Sequence, residues 1–139
     1  MPYARTSTVQ TETHTFRIGD AFLWSEAPAG YYAIAVEDDG ETGYLYGIEL
    51  QDGEQSILDA LLLYSVDPAS ADKTAVATVV WSDDGGRVAL WLNGRQDAAF
   101  DFVRRRAVCR SNFPPPSSFT GSHEWDDSLA GDLTPPGGS

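Results

Sequence analysis

The stretch Ala75-Val76-Ala77-Thr78-Val79-Val80-Trp81-Ser82-Asp83-Asp84-Gly85-Gly86-Arg87-Val88-Ala89-Leu90-Trp91-Leu92-Asn93-Gly94 decides the fold. It holds two apolar runs around a turn signal. A two-residue turn at Asp84-Gly85 pairs Trp81 with Val88, Val79 with Leu90 and Ala77 with Leu92. All six are apolar and share one face, and a one-residue slip would have scattered them. Asn93-Gly94 is the strongest hairpin signal in the chain. It is expected to place Ala98 and Phe100 on the opposite face, with Ala89 and Trp91. Residues 75–103 are therefore predicted to form a three-stranded antiparallel meander, apolar on parts of both faces.

Toward the N-terminus, residues 31–50 read as a second hairpin. Tyr32, Ile34 and Val36 fall on one face of its first strand. Tyr44, Tyr46, Ile48 and Leu50 fall on one face of its second. Gly40 and Gly43 supply the conformational freedom the connection needs. Thr11, Thr13 and Thr15 alternate with Glu12, His14 and Phe16, as in a partly exposed strand. Ala21 to Trp24 is a short apolar piece. Between the hairpin and the meander, Asp52-Gly53 punctuates, and Ser56 with Asp59 three residues on has the form of a capping box. Ile57, Ala60, Leu61 and Tyr64 recur at helical spacing, Leu58 and Leu62 widen the stripe, and Asp67-Pro68 stops it. A short helix over about 54–65 is expected. The predicted class is α+β: about six or seven strands, mainly in antiparallel hairpins and a meander, packed on that helix.

Composition bounds the function. The chain has 139 residues, 42% of them hydrophobic and 12% aromatic, which is one domain of globular type. It carries 21 Asp and Glu against 9 Lys and Arg, a net charge of -12. A binder of phosphates or anionic lipid needs a basic surface, so nucleic acid and membranes are not expected partners. No apolar run reaches the ~18 residues of a membrane span. Met1-Pro2-Tyr3-Ala4-Arg5 opens without the apolar region of a secretory signal, and the cytoplasm is the expected location. Cys109 is the lone cysteine, so no intrachain disulfide can form. With His14 and His123 it leaves no Cys/His zinc set, and neither metal nor cofactor is expected.

The charge is arranged along the chain. Residues 104–113 carry Arg104, Arg105, Arg106 and Arg110, while Glu124, Asp126, Asp127 and Asp132 follow in the tail. Pro114-Pro115-Pro116-Ser117-Ser118 is a stiff connector. Residues 1–113 are read as one globular domain and 114–139 as an acidic Pro/Ser/Gly-rich tail. Trp125, Leu129 and Leu133 recur every four residues, so residues 122–133 are read either as a segment that docks near the arginines through Trp125 or as a disordered solubilising tail.

Several pieces resemble a small family of uncharacterised bacterial proteins, classed as a domain of unknown function. They are Glu37-Asp38-Asp39-Gly40-Glu41-Thr42-Gly43-Tyr44, Ile57-Leu58-Asp59-Ala60-Leu61, Trp81-Ser82-Asp83-Asp84-Gly85, and Phe100-Asp101-Phe102 leading to Cys109-Arg110-Ser111-Asn112-Phe113-Pro114. They span residues 31–116, and the tail lies beyond them. The resemblance implies a bacterial source and a shared architecture, and it brings no activity with it.

Candidate chemistry is sparse. Asp97 and Asp101 lie in an apolar strand, where a buried carboxyl suits acid–base work, though arginines nearby suit an ion pair. Cys109 stands beside Arg110, but a single Cys is more often a small buried hydrophobe. No nucleophile elbow or Gly-rich phosphate loop is present, and no catalytic residue is assigned. The expected function is an acidic protein-binding module, of the immunity or antitoxin type, that engages a basic bacterial protein. Its partner-binding residues are read as Asp38, Asp39, Glu41, Tyr44, Asp83 and Asp84, at the two acidic hairpin tips. The alternative is a small anionic ligand, bound or turned over at Arg104, Arg105, Arg106 and Arg110. A second alternative is mimicry of a nucleic acid.

Overall fold

Alternating side chains and tight turns set the local structure, and burial then stacks it into two sheets. A computed structural model describes residues 9–28, 30–114 and 122–135; Pro115 to Ser118 of the expected connector lie outside the described residues. The strands are β1 (Val9–Arg17), β2 (Ala21–Glu26), β3 (Tyr32–Asp38), β4 (Thr42–Gln51), β5 (Glu54–Ser65), β6 (Thr74–Ser82), β7 (Arg87–Leu92), β8 (Arg95–Asp101) and β9 (Arg106–Cys109). One turn of helix, α1 (Asp127–Ala130), follows. All paired strands are antiparallel. One sheet has five strands in the order β1-β6-β7-β8-β9, and the other has four in the order β2-β3-β4-β5.

The meander has the register its sequence dictates: Trp81 opposes Val88, Val79 opposes Leu90 and Ala77 opposes Leu92. These six face inward and meet Ile34, Val36, Leu45 and Leu61 of the four-stranded sheet. Trp81 and Phe100 are fully buried. The Trp81 Nε1–H donates to Ser25 Oγ at 2.8 Å, a hydrogen bond that joins the two sheets and satisfies a buried indole. Tyr32 stacks on Phe102 at 4.3 Å between ring centroids. Phe100 rests over Gly47, where a Cβ would come within 2.7 Å of the ring.

Two sequence expectations are overturned. Residues 54–65 are a strand, β5, and not a helix. Asp52 and Gly53 have φ of 54° and 80°. Two left-handed residues in succession make the turn that closes a two-residue hairpin, so β5 must return along β4. The helical spacing has a separate cause. Leu58 and Leu63 are extra residues opposite β4, one at each of two register shifts. Each bulge advances the inside–outside alternation by one, so a strand with two of them mimics a helical stripe. A bulge also corrects the third meander strand. Leu90 pairs with Ala98 but Trp91 pairs with Gln96, leaving Asp97 as the extra residue. Ala98 and Phe100 therefore point inward beside Leu90 and Val88, not outward with Ala89 and Trp91.

Candidate functional site

Charge is divided between the sheets. From Ile18 to Asp72 the chain has twelve Asp and Glu and no Lys, Arg or His. Strands β2 to β5 all lie within that interval, so the whole four-stranded sheet is carried by cation-free sequence. The described basic residues belong to the other sheet and its connections, from Arg17 on β1 to Arg110 after β9.

The strand pairing lays out the outer face of the four-stranded sheet in rows. Phe22 lies beside Glu37 and Tyr44; Trp24 lies beside Ala35, Tyr46 and Ala60; Glu26 lies beside Ala33, Ile48 and Ile57. Ala33, Ala35 and Ile48 form a small cluster with Trp24, Tyr46 and Leu50 packed around it. Phe22 and Ile57 are 63% and 65% exposed. The two glutamates fix the rings. Glu26 accepts from Trp24 Nε1–H at 3.0 Å, and Glu37 accepts from the Tyr46 hydroxyl at 3.2 Å. Burial and the bond to Glu37 hold the Tyr46 phenol above its ordinary pKa. Tyr44 and Tyr46 stack at 6.3 Å.

The acidic turns divide by role. Asp38 is buried, accepting Gly19 N–H at 2.7 Å, Gly40 N–H at 2.9 Å and the Tyr64 hydroxyl at 2.6 Å. Burial and the Asp38 carboxylate push the Tyr64 phenol well above its usual range. Asp38 thus ties the β1–β2 turn to the β3–β4 turn. Asp39 is exposed, but its carboxylate accepts Glu41 and Thr42 N–H, and these bonds hold it below the ordinary carboxyl range. Glu41 is exposed, and Tyr44 lies on the outer face just described. Asp83 is exposed, while Asp84 accepts Ser82 Oγ–H and Gly86 N–H, which lower its pKa.

The two tips do not meet. The Asp39 turn sits beside Gly19, at the end of the sandwich where Arg17 pairs with Thr74. The Asp83 turn follows Ser82, which pairs with Val9 at the far end of β6. The nine residues of β6 separate the two ends, by about 27 Å at the rise of a strand.

The arginines are engaged by the C-terminal segment. The Arg110 guanidinium lies 3.6 Å from the Trp125 ring centroid, and its Nε–H donates to the Gln96 carbonyl. Arg106 is 3.5 Å from Asp126. Arg87 makes a two-pronged bond to Asp132 at 2.7 and 2.8 Å. Gln96 donates to the carbonyls of Ala130 and Leu133. Leu129, Ala130 and Leu133 cover Val80, Ala89, Ala99 and Val108 on the outer face of the five-stranded sheet. Arg104 is exposed, and its backbone N–H and side chain both face Asp101. Arg105 holds a left-handed turn, with φ of 59°. Arg87 and Arg104 line one pocket, together with the carboxylates Asp84 and Asp101.

The other candidates are accounted for by local bonds. Asp97 pairs with Arg95. Cys109 is buried, with Sγ 3.3 Å from Ser111 Oγ and 3.4 Å from the Phe113 carbonyl. A pair that the sequence reading passed over lies deeper. His123 Nε2 is 2.7 Å from Asp59 Oδ2, and Nδ1 is 2.6 Å from the Pro114 carbonyl, with both side chains buried. A carbonyl can only accept, so Nδ1 carries a hydrogen and donates it, and a second hydrogen lies between Nε2 and Oδ2. With both nitrogens occupied the imidazole clamps the C-terminal segment to β5. Among the described residues, no group of three His, Cys, Asp or Glu side chains comes within range of a common metal. Among those residues, no helix is long and apolar enough to cross a membrane.

A family model described as "Uncharacterized protein conserved in bacteria (DUF2251)" matches residues 16–134. The chain belongs to that family. The match reaches beyond the motifs of residues 31–116 and takes in the C-terminal segment that covers the five-stranded sheet. An uncharacterized protein of Haemophilus influenzae (strain ATCC 51907 / DSM 11121 / KW20 / Rd) is 39% identical over 87 residues, 62% of this chain. The chain spans about half of that relative's length, the match covering 54% of it. No solved structure matches the chain.

The rings on the outer face of the four-stranded sheet include Phe22, Trp24 and Tyr46, none of which sequence reading assigned to a site. Two signals could have found them. One is the alternation Phe22, Trp24, Glu26, matched by Tyr44, Tyr46, Ile48. The other is the absence of any cation between Arg17 and Lys73.

Proposed function

We propose that the protein is a small acidic binding module that engages a basic bacterial protein in the cytoplasm, in the manner of an immunity or antitoxin protein. The observation that carries this reading is the exclusion of every cation from residues 18–72, which hold twelve carboxylates and carry the whole of one sheet. Carboxylates that share their sheet with no cation of its own sequence sustain a one-signed field over one side of the molecule. Such a field steers a basic partner and raises its association rate. The rings among those carboxylates are of the type that dominates interface energetics.

The alternatives have less support. A small anion needs convergent guanidinium groups, whereas Arg87, Arg106 and Arg110 are held by Asp132, Asp126 and Trp125. Nucleic-acid mimicry needs a ladder of carboxylates, whereas the paired rows of the uncovered face hold two glutamates among rings and aliphatic residues.

The test is isolation from the source bacterium at low salt, identification of the bound protein, and titration of the purified pair. The expected result is a partner of net positive charge whose Kd rises about tenfold or more between low and moderate salt. A partner without a basic surface, or an affinity indifferent to salt, overturns the reading.

A further inference from the structure

The outer face of the four-stranded sheet is uncovered among the described residues, in contrast to the face that the C-terminal segment covers. Phe22 and Ile57 stand at opposite edges of it, 63% and 65% exposed. Four strands by six residues give it about 400 Å². That is the scale of the largest apolar patch on a typical monomer, and such patches are commonly functional. The charged side chains in its paired rows are Glu26 and Glu37. Each uses one oxygen to hold a ring donor of the same face.

We infer that this face is the docking surface, and that its occupant is a different protein presenting apolar side chains ringed by lysine or arginine. This rests on the function proposed above and adds where the partner sits. Charge decides among occupants. A second copy would bring the same glutamates against these, with no cation on either side to pair them. The outermost described parts of the chain lie at the other face: Val9 packs with the covered face of the five-stranded sheet, and Leu133 lies over it. A basic, apolar-centred surface is the one chemistry that meets both the rings and the carboxylates.

A photo-crosslinking amino acid placed at Phe22, or in a second variant at Asp83, locates the contact in the source bacterium with the full chain. The expected result is a heterologous adduct from Phe22 but not from Asp83, with a protein identified by mass spectrometry and carrying net positive charge. That protein, purified and titrated, should bind F22K and I57K at least tenfold more weakly, while D83N stays within twofold. Thermal melts of all three variants should match the parent, which separates lost contact from lost fold. Adducts from Asp83 with F22K harmless would overturn this inference and leave the proposed function standing. So would a self-adduct, whether between two copies or between Phe22 and residues 1–8. A partner of net negative charge from either position would overturn both.

Discussion

On the five-stranded sheet, Val80, Ala89, Ala99 and Val108 point outward and are fully buried, because Leu129, Ala130 and Leu133 lie over them. On the four-stranded sheet, Ala33, Ala35 and Ile48 point outward and are buried by their own neighbours, Trp24, Tyr46 and Leu50. Both outer faces are apolar at the centre. In the first, the apolar residues are explained by the segment they bury. In the second they have no such explanation among the described residues, and broad rings spread across small side chains, as at binding surfaces. Covering one face with the chain's own C-terminus also brings acidic residues to Arg87 and Arg106. Arg87 and Arg106 are thereby neutralised on the covered side, and of the other sheet's carboxylates the same segment engages Asp59, through His123.

The comparison breaks most readily at the cover. Deleting residues 117–139 removes two buried leucines, each worth about 1.5–3 kcal/mol, and exposes what lay beneath them. It also removes His123. We expect a loss of about 5 kcal/mol or more and a fall in Tm of about 15 °C, read by calorimetry. An unchanged Tm would show that the cover contributes nothing, and the contrast between the faces would disappear.

The clamp comes next. His123→Ala leaves the Asp59 carboxyl buried without the imidazole, and losing one member of a buried pair costs about 3–5 kcal/mol. Urea denaturation should show this as a lower midpoint. A double-mutant cycle with Asp59→Ala should return a coupling above about 1 kcal/mol. Independent, additive effects would mean that the pair does not hold the segment to β5.

How far these features were legible depends on what each one requires. The β6–β7 register was fully readable, because a tight turn and six apolar residues of one parity admit a single alignment. β5 was not. Leu58 and Leu63 are extra residues, and a bulge shifts parity without a residue signature of its own. The same applies to Asp97, whose bulge turned Phe100 inward. The partner of Asp38 was also beyond reach, since the Tyr64 hydroxyl stands 26 residues away on a strand read as a helix. Of the candidate surface, Tyr44 was read correctly as sharing a face with Tyr46 and Ile48. That this face points out of the sandwich depends on Ile34, Val36 and Leu45 pointing in, which is a fact of tertiary packing. Cation depletion from Ile18 to Asp72 was visible in the sequence, and it needed the sheet order to become a statement about one side of the molecule.

Acid should weaken the cover by a smaller amount. The two bonds from Arg87 hold the Asp132 carboxyl below the ordinary range, against a smaller opposing effect of burial. Ser128 does the same for Asp126, with Arg106 adding to it. A carboxyl whose folded pKa is lowered stabilises the fold above its unfolded value, near pH 4, and the contribution disappears as pH falls through the folded value. The Arg87–Asp132 pair is partly exposed, with side chains at 29% and 62%, so solvent screening limits it to about 1 kcal/mol. Asp132→Asn should therefore lower Tm slightly at pH 7 and flatten its decline between about pH 4 and pH 2. A parent whose Tm is level across that range would remove these ion pairs from the account of the cover.

The smallest effect is the most discriminating. Phe22→Ser and Ile57→Ser change side chains that are already 63% and 65% exposed. Each should shift stability by no more than about 0.5 kcal/mol, in keeping with surface substitutions elsewhere. Leu133→Ser, the matching change on the covered face, should cost about 2–4 kcal/mol, since Leu133 is 1% exposed. Denaturant curves of the three variants side by side put the contrast in one measurement. A loss at Phe22 comparable to that at Leu133 would mean that the isolated chain already covers this face. Residues 1–8 would then be the first to delete, and a partner would have to displace them before it could bind. Equal stability of parent and Phe22→Ser would mean that the ring contributes nothing to the isolated fold, which leaves contact with another molecule as the setting in which it can act.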